Sequence, residues 1–299
     1  VINNTGTTNG GTTLPTGGRD MPDDMDSDSV QVELGLVKSI VSTSETHTGD
    51  SGGTEQVAIG EIVRYRFEVE LPEASAVDLT LQDLIADGMT FIDPHATLDG
   101  NVRVAFVSDG GITSGGAVGI SDAAAFITGD ETSIAGITPV FELADDNISN
   151  APDSDVDTYV SGADVFFRLG DVTNSDADAN NEYIVIEFNV LIDNVAANSA
   201  GTDLDNSYRA LSDDNGANTQ IGSDSNVISV SVAEPDVSVV KQIITPGIDA
   251  GDTIVYSIDV TNSNAADAAS AFEIRVLDDL DGLDPGTLTL VSAVLNAGA

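Results

Sequence analysis

The sequence predicts an all-β protein made of sandwich-type units in tandem. Three observations carry that expectation. From Val30 onward, apolar and polar residues alternate with period two in short runs. Clusters of Gly, Asp, Asn and Ser separate the runs, and three of the runs recur later in the chain. Period two puts neighbouring side chains on opposite faces of a half-buried strand. Short strands at this spacing, bounded by turn residues, point to a sandwich.

The strands read in order as QVELGLVKSIV (31–41), EIVRYRFEVEL (61–71), VDLTLQDLI (77–85), NVRVAFVS (101–108), ADVFFRLGDV (163–172), EYIVIEFNVLID (182–193) and NVISVSVA (226–233). No long stretch of helical period with caps interrupts them; SDAAAFITG (121–129) is expected as one short helix. Residues 1–30 carry Gly, Thr, Asn and Asp without hydrophobic period after Ile2, and are expected to be a flexible polar and acidic segment.

The repeat sets the domain organisation. VELGLVKSI (32–40) matches PDVSVVKQI (235–243), AIGEIVRYRFEVEL (58–71) matches DAGDTIVYSIDVT (249–261), and LTLQDLIADGMTF (79–91) matches FEIRVLDDLDGLDP (272–285). Residues 31–234 are therefore expected to form one complete sandwich, with an insertion at about 95–175. Residues 235–299 are expected to supply only the first part of a second, incomplete one. Further chain, or another protomer, would then finish the second unit. The Glu234-Pro235 junction leaves almost no linker, so adjacent units should make a stiff rod.

Composition excludes several functions. A formal charge of −42 repels nucleic-acid backbones and anionic lipid. With no cysteine there is no disulfide, thiolate metal site or cysteine nucleophile. Two histidines, His47 and His95, supply little for imidazole chemistry. No apolar run reaches the ~20 residues of a membrane helix. The 51 acidic residues divide into 38 Asp and 13 Glu, so the acidity sits in loops, as suits the outside of a cell. Without Trp, a sugar-stacking cleft is poorly supplied, and no Gly-rich loop opens a helix for nucleotide phosphates. Gly110-Gly111 and Gly115-Gly116 read as loop flexibility. An enzyme acting on external substrates is not expected.

The chain's two lysines, Lys38 and Lys241, occupy the same place in the repeat, inside V-K-x-I. Lys38 shares parity with Val32, Leu34, Leu36 and Ile40, and Lys241 with Val237, Val239 and Ile243. Both are expected to point into the core. A buried ammonium must be paired or deprotonated. Asp83 has the parity of Leu79, Leu81 and Ile85, and Asp278 that of Ile274, Val276 and Leu280, so each copy aims one aspartate inward beside its lysine. Two asparagines near the end of the complete unit also take inward parity: Asn206 with Leu204 and Tyr208, and Asn226 with Ile228 and Val230. Parity does not choose between them.

The opening strand ending V-K-x-I, the G-[ED]-x-[IV]-x-Y-x-[FI]-x-V block from Gly60 and from Gly251, the L-x-D-L strand, and the late N-S-Y-R-A and S-N-V-I-S-V-S-V segments are similar to isopeptide-forming domains of bacterial fimbriae. They also resemble collagen-adhesin B-type domains and the repeats of large bacterial surface proteins. The resemblance covers about 30–92, 182–234 and 235–293. It implies an immunoglobulin-like sandwich and an autocatalytic cross-link. In that chemistry Lys38 attacks the carboxamide of Asn206 or Asn226 and ammonia leaves, assisted by Asp83; Lys241 and Asp278 are the second copy's counterparts. Desolvation would free the amine lone pair and keep the acid protonated. A buried Lys38–Asp83 ion pair without the covalent bond is the alternative. In the second copy no acceptor lies within the chain.

Asp-rich loops offer a second chemistry. Asp153, Asp155 and Asp157 alternate, as do Asp176, Asp178 and Asn180, and alternating oxygens suit Ca²⁺. Asn181 stands where an EF-hand loop needs Gly, and Glu187 falls in a strand, so no EF-hand is expected. Solvated acidic loops are the simpler reading of these clusters and of Asp23, Asp24, Asp26 and Asp28. No cofactor is required; calcium is the one candidate. The expected function is a structural subunit of an extracellular bacterial filament or cell-surface stalk. It would assemble with copies of itself, head to tail by strand complementation or in a tandem array. A ligand-binding adhesin module, with contacts made by 95–175 and calcium-stabilised loops, is the alternative.

Overall fold

The computed structural model describes residues 34–279 apart from 46–49, 52, 97–99, 130–133, 135, 214–215, 250, 264–267 and 272–273. The expected N-terminal segment 1–30 and the last twenty residues lie outside the described residues. Eleven longer strands build the fold: β1 (Gly35–Thr43), β2 (Thr54–Ala58), β3 (Ile62–Leu71), β4 (Ser75–Leu84), β5 (Arg103–Ser108), β6 (Val165–Asn174), β7 (Glu182–Ile192), β8 (Asp203–Asp213), β9 (Ile228–Ala233), β10 (Val237–Thr245) and β11 (Val255–Asn262).

Two sheets face each other. One runs β1-β3-β7-β5 and ends on Phe141–Glu142. The other runs β6-β4-β8-β9-β2, with β9 and β2 parallel. Strict alternation fills the space between them. Val63, Tyr65, Phe67 and Val69 of β3 and Ile184, Ile186, Phe188 and Val190 of β7 point in from one side. Leu79 and Leu81 of β4, Phe167 of β6, Tyr208 of β8 and Val230 of β9 meet them from the other. Phe67 is the hub. It stacks on Tyr208 at 3.8 Å between centroids and meets Phe188 and Phe167 edge-on at 4.9 and 5.7 Å. The fold is the all-β sandwich that the alternation predicts.

The stretch expected as an insertion contributes a strand to each sheet, β5 and β6. It also explains why β5 reads as a continuous apolar run. Val104 and Phe106 face the main core, while Ala105 and Val107 face outward and pack with Val185 under Ile134. The Arg66 guanidinium fastens that cover by donating to the carbonyls of Ile134 and Ile137, both at 2.7 Å. The expected helix at 121–129 is a single 3-10 turn, Ala123–Ala125, capped by Asp122, followed by the short strand Phe126–Thr128.

β10 and β11 form a separate antiparallel pair. It repeats the β1–β3 pair in detail: a register shift after Ile243 matches the one after Ile40, and Gly251 takes positive φ as Gly60 does.

Candidate functional site

β1 is an edge strand, and its alternation turns Lys38 inward, opposite Phe67 of β3. Lys38 is buried, at 1% exposure. Its Nζ lies 4.7 Å from the Tyr65 ring centroid, 4.9 Å from Phe67 and 5.7 Å from Phe188, and pairs with Asp83 Oδ1. Asp83 is fully buried on β4, between Val165 of β6 and Tyr208 of β8. Asn206, also buried, reaches the other carboxylate oxygen: its Nδ2 donates to Asp83 Oδ2 at 3.4 Å. Three functional groups from β1, β4 and β8 thus meet inside an aromatic box that spans both sheets.

Burial sets the protonation chemistry. Desolvation lowers the Lys38 pKa to about 8, against the opposing pull of Asp83. Desolvation also raises Asp83, against the opposing pull of Lys38. Both shifts favour the neutral amine and the neutral acid over the charged pair.

Asn226 is placed elsewhere. It is exposed, just ahead of β9, and its amide is engaged by the Lys38 backbone: Oδ1 accepts from the Lys38 N–H and Nδ2 donates to the Lys38 carbonyl. Of the two asparagines, Asn206 shares the buried site. In the second unit Lys241 pairs with Asp278, with Nζ 4.6 Å from the Tyr256 ring centroid. The expectation that Lys241 would be buried needs correction: its side chain is 36% exposed. Among the described residues, none on β10 or β11 is buried.

The acidic clusters rearrange across the sequence. Asp176 and Asp178 meet Asp109, with carboxylate oxygens within 4.8 Å of one another, and Asp176 holds Asp109 up at about pKa 6. Asn180 lies beside them: its backbone N–H and Nδ2 both donate to Asp178. Asp153 accepts from Asn218 at 2.7 Å. Asp157 is raised by burial and then by Asp145 and Asp155. Asp93, His95 and Asp145 form a second group within 4.8 Å. Such carboxylates offer the hard ligands Ca²⁺ takes; exposed acidic groups are also common without an ion.

No family model matches the sequence. No curated protein matches it either. Solved structures do. The chain is similar to bacterial surface pilins and adhesins. BcpA, the major pilin subunit of Bacillus cereus, matches at 11% identity and a TM-score of 0.34, over 77% of this chain and 55% of that one. The pilus backbone RrgB from Streptococcus pneumoniae matches at 11% identity and 0.34, over 62% of this chain and 34% of that one. ACE19, the collagen-binding subdomain of the Enterococcus faecalis surface protein ACE, matches at 13% and 0.29, over 68% and 99%. The chain thus spans about half the length of the first of these and a third of the second. Likeness at this level leaves function to be argued from the chain's own residues. Among the described residues, no helix is long and apolar enough to cross a membrane.

Parity found Lys38, Asp83 and Asn206. It missed Tyr65, although the repeated Gly-to-Val block carries a tyrosine at that place in both copies, Tyr65 and Tyr256. It also missed Asp109, Asp93 and Asp145, which reach their clusters only through tertiary folding.

Proposed function

We propose that this chain is a mechanical subunit of an extracellular bacterial filament or cell-surface stalk, and that Lys38 and Asn206 join in an intramolecular amide. The observation that supports it is the buried convergence of Lys38, Asp83 and Asn206 from strands of both sheets. Neutral Nζ attacks Asn206 Cγ. One Nζ proton passes through the Asp83 carboxyl to Nδ2, the Cγ–Nδ2 bond breaks, and ammonia leaves. Packing replaces an external enzyme by holding the reactants together. The product staples edge strand β1 to β8 across the core. A pull on the chain would then bypass everything between the two residues. In a chain without cysteine, this is an available covalent reinforcement.

The exposed apolar residues of β10 and β11 support assembly with copies of itself, or in tandem. Val239, Ile243 and Val255 of β10 and β11 are exposed, as is Leu277. An open apolar sheet calls for strands from further chain or a neighbouring copy.

Intact mass tests the cross-link. The folded chain is expected to weigh one ammonia less than its sequence, and Lys38→Ala and Asn206→Ala should each restore the full mass. A wild-type chain at full sequence mass refutes the bond.

A further inference from the structure

The buried site holds two polar atoms that lack a proper counterpart. Asn206 Oδ1 is buried with no hydrogen-bond partner. The Tyr65 hydroxyl is buried too, and its partner is the Met89 thioether at 3.9 Å, a weak acceptor. An orphaned amide oxygen in the core costs about 1–3 kcal/mol, so its persistence calls for a reason. The two residues are neighbours: the Asn206 amide is close enough to the phenol to perturb its titration, while burial drives the Tyr65 pKa upward and keeps its proton in place.

The amide end facing Asp83 and Tyr65 is now Nδ2. Turning the amide about its terminal bond exchanges Nδ2 and Oδ1 and leaves the side chain's shape unchanged. Oδ1 then faces the Asp83 carboxyl, at the end of the amide that perturbs the Tyr65 hydroxyl. The ammonia-forming Nδ2 takes the orphaned position.

We propose that Tyr65 is a catalytic residue of the cross-linking reaction, its hydroxyl and the protonated Asp83 carboxyl together forming an oxyanion hole for Asn206 Oδ1. The inference rests on the Lys38–Asn206 reading given above. As Nζ adds to Cγ, the carbonyl π electrons move onto Oδ1, and the two O–H groups stabilise that charge where no water competes. At the tetrahedral stage Cγ turns until Nδ2 reaches the Asp83 carboxyl while Oδ1 stays on the Tyr65 hydroxyl. Asp83 gives its proton to Nδ2 and takes one from Nζ, the electrons return, ammonia leaves, and the Tyr65 proton never leaves its oxygen. Asp83 shuttles one proton and ends as it began. The phenol ring does a second job, since Lys38 Nζ lies 4.7 Å from its centroid. The second unit repeats this arrangement around its own amine: Tyr256 stands in the same place in the repeat, with Lys241 Nζ 4.6 Å from its centroid and paired to Asp278.

The experiment follows ammonia loss in time. The full chain is recovered unfolded from denaturant before it can react, refolded by dilution, quenched at intervals and weighed. Tyr65→Phe keeps the ring and removes the hydroxyl; it is expected to slow mass loss about a hundredfold, the usual effect of deleting one oxyanion donor. Met89→Leu removes the phenol's thioether partner and should leave the rate within about twofold of wild type if the hydroxyl acts on Asn206. Folding is checked separately in the Asn206→Ala background, where adding Tyr65→Phe should leave the unfolding midpoint nearly unchanged. If Tyr65→Phe refolds and loses ammonia as fast as wild type, the role of Tyr65 is overturned and the cross-link stands. If wild type never loses ammonia, the cross-link falls and this role falls with it.

Discussion

The side-chain amide of Asn226 stands in for a missing strand beside Lys38. It accepts from the Lys38 N–H at 2.8 Å and donates to the Lys38 carbonyl at 2.9 Å, on the open side of edge strand β1. One residue thereby closes the ladder where the reactive lysine must be held still, and it does so with backbone-like geometry.

Asn226→Ala should loosen β1 without touching the buried chemistry. Two part-buried hydrogen bonds are lost, so the expected destabilisation is about 1–2 kcal/mol, read from the denaturant midpoint. The chain should still lose its ammonia. Full sequence mass in Asn226→Ala, with mass loss retained in Asn206→Ala, would reverse the assignment of the two asparagines.

Much of this site was legible in the sequence because β strands translate parity into direction. Lys38, Asp83 and Asn206 all sit on strands, and their apolar neighbours at even spacing announced the inward face. Asn226 sits just ahead of β9, where no ladder imposes alternation, and parity alone gave it the same standing as Asn206. Lys241 shows the opposite limit. Its parity matches Lys38, yet exposure depends on what packs opposite, which no local pattern encodes. The acidic loops show the same limit: alternation gathers Asp176 and Asp178, but Asp109 reaches them from a distant turn, and Asn180 donates to Asp178.

Tyr208 ties the sheets together at a single point. Its hydroxyl, carried on β8, donates to the Glu68 carbonyl at 2.7 Å, with the Val37 carbonyl at 3.3 Å. Val37 and Glu68 are directly opposite in the β1–β3 register, so the phenol plugs the seam next to Lys38. Tyr208→Phe keeps the stack on Phe67 and removes this bond. We expect a loss of about 1–2 kcal/mol and faster amide exchange in β1. Unchanged exchange in β1 would show that the seam is held by β3 alone.

The buried amine predicts a pH dependence that can be isolated in the Asn206→Ala background, where no cross-link forms. Lys38 has a folded pKa of about 8 against an ordinary 10.5. Between these values the unfolded chain binds a proton that the folded chain does not, so stability contributed by Lys38 rises with pH across that window. Below about 8 both states are charged and the full desolvation penalty applies. Relative to Lys38→Met in the same background, the lysine chain should gain up to about 1.4 kcal/mol per pH unit through the window. Asp83 acts in the reverse sense. Its raised pKa lets the folded chain hold a proton the unfolded chain has shed, so its contribution is greatest at low pH and falls as pH climbs through the raised value. Denaturant melts of the two variants between about pH 7 and pH 10 measure the lysine contribution. A gap that stays constant or widens against lysine contradicts the depressed pKa.

Gly170 supplies the last test, because β6 reaches the core through a double register shift centred on it. Its φ is +71°, and a Cβ there would lie 2.1 Å from the Gly115 carbonyl oxygen. Gly216 has a similar φ, +76°, but open space around it. The two alanine variants therefore separate conformational strain from collision. Gly216→Ala should lose about 1 kcal/mol, the penalty of placing a side chain at positive φ. Gly170→Ala must also push the 115–119 turn off β6, which carries Phe167 into the aromatic cluster, so its loss should exceed about 3 kcal/mol. Equal melting temperatures for the two would mean that the turn yields freely and that the bulge does not fix the position of Phe167.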